Sequence, residues 1–138
     1  MKLFIDTSVF VDVLRSRQVG SSRALLESLE GGNEGFTSVI TVAELCVGAY
    51  RSSRKDALEK TLTLLSLVEV IDLDRDIAAE GGRIYAELTG KGREIELNDC
   101  LIAATSLSQG ISGIVTRDLE HFGRIEGVEA VTPEDLGF

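Results

Sequence analysis

Lys2-Leu3-Phe4-Ile5-Asp6-Thr7-Ser8-Val9-Phe10 opens the chain with a short apolar run, an acid, two hydroxyls and then apolar residues at helical spacing (Val9, Phe10, Val13, Leu14). That order predicts a buried strand stopping at Asp6 and a helix starting directly after it. An acid at the carboxyl end of a central strand stands where open α/β sheets place their ligands.

Outward from this stretch the same alternation recurs. Residues 21–30 carry Leu25, Leu26 and Leu29, a short amphipathic helix ended by Gly31-Gly32. A second short strand at 35–38 leads into a helix over 39–50, whose apolar face is Val42, Leu45, Cys46 and Ala49. A polar break at 51–54 separates it from residues 57–68, with Leu58, Leu62 and Leu65, so 39–68 reads as a helical hairpin. A third strand is expected at Glu69–Ile71. A helix follows over 75–89 despite Gly81-Gly82, each glycine costing roughly 1 kcal/mol against alanine. Leu97–Ser108 reads as a helix whose alanines allow close packing on a sheet. Gly113–Val115 is a strand ending at Thr116-Arg117-Asp118, Leu119–Phe122 gives one helical turn, and 128–131 is the last strand before the only proline, Pro133. Short strands alternating with helices predict an α/β sandwich on a parallel sheet. No linker, repeat or low-complexity tract interrupts residues 1–138, so one domain is expected.

The composition excludes several classes. No apolar run approaches the roughly 18–20 residues that span a bilayer, and Lys2 followed by so brief an apolar run does not make a signal peptide. Cys46 and Cys100 stand far apart without metal-binding spacing and read as two reduced thiols of a cytoplasmic protein. The single His121 cannot build a zinc site alone, and two Tyr with no Trp make no base-stacking platform. The net charge of −9 has the wrong sign for a nucleic-acid binder, so any such ligand must be held by local basic patches and by cations.

Four acids fall at equivalent places. Asp6 and Asp118 end apolar strands; Glu44 and Asp99 are expected in first turns of helices. Parallel strands send all these positions to one edge of the sheet. Each acid also has a local reading. Asp6 and Asp118 suit N-caps, Thr41-Val42-Ala43-Glu44 fits a capping box, and Asp99 can complement a helix dipole. Capping gives no reason for Thr7, Ser8, Asn98 and Thr116 to gather at the same edge. Massed carboxylates raise one another's pKa, and a divalent cation relieves them. Oxygen ligands favour Mg²⁺ or Mn²⁺, which in phosphodiester hydrolysis activates water and stabilises the leaving oxygen, in some sites as a pair about 3.5–4 Å apart. Other motifs fail. Asp72-Leu73-Asp74-Arg75-Asp76 starts like a calcium loop but has Ile77 where glycine is required and Arg83 where glutamate is required. Gly90-Lys91 lacks the upstream glycine of a phosphate-binding loop, and His121 has no nucleophile elbow to serve.

Four segments, Phe4-Ile5-Asp6-Thr7-Ser8, Ser38-Val39-Ile40-Thr41-Val42-Ala43-Glu44-Leu45, Asn98-Asp99-Cys100-Leu101-Ile102-Ala103-Ala104 and Val115-Thr116-Arg117-Asp118-Leu119-Glu120-His121-Phe122, together resemble the PIN-domain family, and within it the VapC-type toxins of prokaryotic toxin–antitoxin pairs. All four occur in the family's order over nearly the whole chain. The resemblance implies a three-layer sandwich with a central parallel five-stranded sheet in the order 3-2-1-4-5 and Mg²⁺- or Mn²⁺-dependent endoribonuclease activity. It implies that Asp6, Glu44, Asp99 and Asp118 form the catalytic quartet, with Asp6, Asp99 and Asp118 as metal ligands and Glu44 and Asp118 orienting the attacking water. Thr7, Ser8 and Thr116 match supporting polar positions; many relatives have Asn where Asp118 stands. His121 and Phe122 match a structural turn. The resemblance further implies a homodimer and a small antitoxin partner, with the 39–68 hairpin as candidate surface for both. Arg51, Arg54, Lys55, Lys91 and Arg93, in polar breaks, are candidates to contact RNA phosphates. A housekeeping ribonuclease of RNA maturation and a non-catalytic module docking a basic peptide are the alternatives.

Overall fold

A computed structural model describes residues 1–15 and 19–138. Five strands, β1 (Lys2–Ile5), β2 (Glu34–Ser38), β3 (Glu69–Ile71), β4 (Gly113–Val115) and β5 (Glu129–Val131), form one sheet in the order β3-β2-β1-β4-β5. Every pairing is parallel, with Phe4 opposite Phe36 on one side of β1 and opposite Ile114 on the other. The central position of β1 follows from its sequence, since Leu3, Phe4 and Ile5 are all buried and such a strand needs cover on both faces.

Alternation along the strands divides the core in two. Phe4 and Ile114 point to one face, where α5 (Arg75–Gly90), α6 (Leu97–Ser108) and α7 (Leu119–Phe122) contribute Ile84, Leu88, Ile102, Ala103 and Phe122. Leu3, Ile5 and Val115 point to the other. There α1 (Thr7–Leu14), α2 (Gly20–Ser28), α3 (Val39–Arg51) and α4 (Ala57–Leu65) supply Val9, Phe10, Leu25, Leu26, Leu45 and Leu65. The three layers are thus helices, sheet and helices, as expected.

Helix starts are fixed by side chains at the ends of the preceding segments. Asp6 caps α1 through Ser8 N–H, Asp74 caps α5 through Ile77 N–H (2.8 Å), and Asp118 caps α7 through His121 N–H (3.1 Å). The second strand runs directly into α3, whose cap is Ser38, accepting from Ile40 N–H at 3.1 Å. This corrects the capping box expected at Thr41. The helix starts at Val39 as its apolar spacing predicts, capped by Ser38, so Thr41 lies inside it and Glu44 in its second turn rather than its first. The 72–76 acid run resolves into the α5 cap.

At Gly81, α5 lies close against Leu101 of α6. A Cβ there would stand 2.5 Å from Leu101 Cδ2 and 3.3 Å from Leu101 Cα, whereas one at Gly82 would meet nothing within 4 Å. Gly82→Ala should therefore stabilise the fold by up to about 1 kcal/mol through helix propensity alone. Gly81→Ala gains the same propensity but overpacks the interface, for a net loss of about 1 kcal/mol. Urea denaturation midpoints of the two variants should move in opposite directions.

Candidate active site

In a parallel sheet the carboxyl ends of all strands meet one edge; Asp6 directly follows β1, while Thr116 directly follows β4 and Asp118 comes two residues later. The two strands are neighbours, so Asp6 and Thr116 come together although 110 positions apart. Asp6 is 5 % exposed. A buried carboxylate needs donors, and it receives them on one oxygen. Oδ2 accepts from Thr116 Oγ1 (2.8 Å), Ser8 Oγ (2.8 Å) and Ser8 N–H (3.4 Å). Thr116 Oγ1 in turn accepts from Asp118 N–H (2.9 Å), and Ser8 Oγ accepts from Arg117 N–H (2.9 Å). The end of β4 is thereby tied to the start of α1. Among the described residues all hydrogen bonds to Asp6 side-chain atoms go to Oδ2, which leaves Oδ1 open to a further ligand.

Glu44 reaches the same edge from α3. Its Oε1 accepts from Thr7 Oγ1 at 2.7 Å, and Thr7 Oγ1 also lies 2.9 Å from Thr41 Oγ1. The hydroxyl pair links α1 to α3 and fixes the glutamate in the place where the capping box would have turned it back. Asp99, in the first turn of α6, completes the group. Its carboxyl is pushed up to about 7, first by burial and then by the charges of Asp6, Glu44, Asp118 and Glu96. Burial likewise raises Asp6, against the opposing pull of the Ser8 and Thr116 hydroxyls. All four acids therefore share one electrostatic site. Capping accounts for Asp6 and Asp118; Glu44 and Asp99 cap nothing.

Asp118 and its neighbour add a feature that sequence reading set aside. The imidazole Nδ1 of His121 lies 2.6 Å from Asp118 Oδ2, and one ligand atom each from Asp99, Asp118 and His121 falls within 4.8 Å of the others. The signal was present in the spacing, because a residue three positions after an N-cap faces the cap. Phe122, by contrast, is core, 1 % exposed. The hard carboxylate oxygens suit a divalent cation, and so does the electrostatic cost of keeping Asp99 ionised beside three other acids.

The basic residues singled out from sequence do not converge on the acids. Arg51, Arg54, Lys55, Lys91 and Arg93 are all exposed. Lys91 is paired with Glu87 at 3.0 Å. Arg54 borders a groove of about 490 Å³ between α1, α3 and α4; of the four acids only Glu44 lines it. Arg117, beside Asp118 in sequence, points away from the site. It bridges Asp12 (2.7 Å) and Glu134 (2.6 Å) and donates to Ser21 and Ser22, clasping α1, α2 and the C-terminal turn Glu134–Leu136.

Comparison with known proteins agrees with this geometry. Residues 3–128 match the PIN domain profile. Ribonuclease VapC5 of Mycobacterium tuberculosis is 31 % identical over 130 residues, covering 92 % of this chain and 90 % of its own. Among solved structures, VapBC2 from Rickettsia felis bound to a DNA fragment from its promoter superposes with a TM-score of 0.83 at 28 % identity, over 96 % of this chain and 98 % of that one. VapBC-5 from Mycobacterium tuberculosis, a member of the VapBC family of toxin–antitoxin systems, superposes with a TM-score of 0.67 at 26 % identity, over 95 % and 98 %. With the strand order, the acid positions and the profile match in agreement, the chain belongs to the PIN-domain family.

Proposed function

We propose that the protein is a Mg²⁺- or Mn²⁺-dependent endoribonuclease and the toxin of a toxin–antitoxin pair, acting in the cytoplasm as a single domain over residues 1–138. The observation that carries this reading is the gathering of Asp6, Glu44, Asp99 and Asp118 into one electrostatic site at the sheet edge. The similarity to Ribonuclease VapC5 and to VapBC complexes supports the substrate and partner classes. A bound divalent cation would supply an activated water and stabilise the leaving oxygen of a phosphodiester. Asp6, through its free Oδ1, and Asp99 would hold the cation, with Asp118 as a further ligand. Glu44, immobilised by Thr7, orients the attacking water and accepts its proton. Thr7, Ser8 and Thr116 keep the carboxylates in place. Arg51, Arg54, Lys91 and Arg93 contact phosphates outside the pocket, which the net charge of −9 makes necessary.

The antitoxin occupies the groove between α1, α3 and α4, whose wall joins Val11, Leu14, Leu45 and Ala49 to Glu44 at the edge of the site. A basic side chain from that partner would reach the acids past Glu44. Val47, Tyr50 and Leu62, exposed on the same hairpin, provide the apolar contacts of a homodimer.

Purified protein should cut a mixed structured RNA with Mn²⁺ or Mg²⁺ and not with chelator. Asp6→Asn and Asp99→Asn should each lose at least about 100-fold of that activity while remaining folded, since each removes a direct partner of the cation. Equal cutting by wild type and both variants would refute the assignment.

The charge crowding makes a second prediction, about stability. Folded Asp99 keeps its proton up to about pH 7, the unfolded chain only to near 3.8. Between those values the folded state binds more protons, so stability of the metal-free protein falls as pH rises from about 4 to 7 and stays low above it. Asp99→Asn should flatten this slope and raise the melting temperature at pH 8 by roughly 2–5 °C. Saturating Mn²⁺ should restore wild-type stability at pH 8 and do little for the variant. A wild-type melting temperature independent of pH between 4 and 8 would contradict the crowding.

A further inference from the structure

Asp118 is a half-exposed acid that is nevertheless held at both oxygens. Its side chain is 37 % exposed, and the helix that follows it has a single turn. Yet both of its oxygens are engaged, and by the same residue. His121 donates its backbone N–H to Oδ1 at 3.1 Å and its imidazole Nδ1 lies 2.6 Å from Oδ2. A carboxylate only accepts, so Nδ1 carries the hydrogen in this contact. One residue thus clamps the carboxylate at two points. The second lone pair of each oxygen remains available, and a ligand atom of Asp118 stays within 4.8 Å of one on Asp99. Phe122, buried immediately after His121, anchors the turn from which the ring is presented. The backbone bond alone would make an ordinary N-cap; the imidazole bond to Oδ2 is extra to capping.

We infer that His121 is a positioning residue of the cation site, acting through Asp118: its imidazole holds the carboxylate turned toward Asp99, so that the cation meets a preformed ligand. The proposal rests on the divalent-cation reading above and adds a fifth residue to it. Partners that orient a ligating side chain in this way change metal affinity by about 10–100-fold when removed. His121→Leu keeps the backbone cap and releases only Oδ2. His121→Asn places an amide N–H at the position of Nδ1 and restores the contact.

The test is calorimetric titration of Mn²⁺ into the full chain as wild type, His121→Leu, His121→Asn, Asp118→Ala and the Asp118→Ala/His121→Leu double variant, with metal-free melting confirming that each folds. The expected result is an increase of about 10-fold in the Mn²⁺ dissociation constant for His121→Leu, recovery of most of it in His121→Asn, and no further loss when His121→Leu is added to Asp118→Ala. Unchanged affinity in His121→Leu would overturn the proposal. An equal loss in the Asp118→Ala background would also overturn it, since His121 would then touch the cation itself or act through the fold. So would an Asn variant as impaired as Leu. Absence of saturable Mn²⁺ binding by wild type is a distinct result, and it removes the cation reading together with this one.

Discussion

A carboxylate buried at the carboxyl end of the central strand is the constraint on which the rest of the structure depends. Asp6 is held out of water against its own tendency to stay solvated, and three hydrogen bonds onto one oxygen make that tolerable. Those bonds come from the two elements that must meet for the site to exist, the start of α1 and the end of β4. The same hydroxyls carry the register further, Thr116 to Asp118 and Ser8 to Arg117. The polar cluster therefore works as a fold-defining joint and leaves the other Asp6 oxygen without a hydrogen bond among the described residues. Stability and chemistry oppose each other here: the crowding that raises Asp99 destabilises the metal-free fold above neutral pH and prepares the site for a cation.

Much of this was legible in the sequence because the elements are short and strongly patterned. Leu3-Phe4-Ile5 could only be a strand covered on both faces, and Leu97–Ser108 and Glu69–Ile71 begin and end where their apolar spacing does. The parallel arrangement then brought strand-end acids to one edge without knowledge of any side-chain contact. The start of α3 at residue 39 was legible, but its cap was not. Ser38 and Thr41 are both good caps, and a capping box at Thr41 satisfies local rules equally well. What decides is tertiary: the Thr41 hydroxyl and the Glu44 carboxylate are both taken by Thr7, from another helix. The contact of the His121 ring with Asp118 was within reach of the sequence, since Asp118 suits an N-cap and His121 stands three positions after it, but nothing local requires the ring to turn toward the cap. Arg117 shows the opposite failure, a basic residue beside a site acid that is spent on a clasp with Asp12 and Glu134.

The overall charge is consistent with this arrangement. A protein of net charge −9 repels a polyanion at long range, so recognition has to be local and dependent on cations. The acids also make a ready counterpart for a basic side chain, and the groove that touches the site through Glu44 gives an inhibitor a route to it that does not require filling the pocket itself.

The most direct test of the central claim is anomalous diffraction from crystals grown with Mn²⁺. The account predicts a peak in contact with the Asp6 and Asp99 carboxylates, with Asp118 beside it, in wild type and its absence in Asp99→Asn. A peak confined to another acidic run such as residues 72–76, or none at the sheet edge, would contradict it.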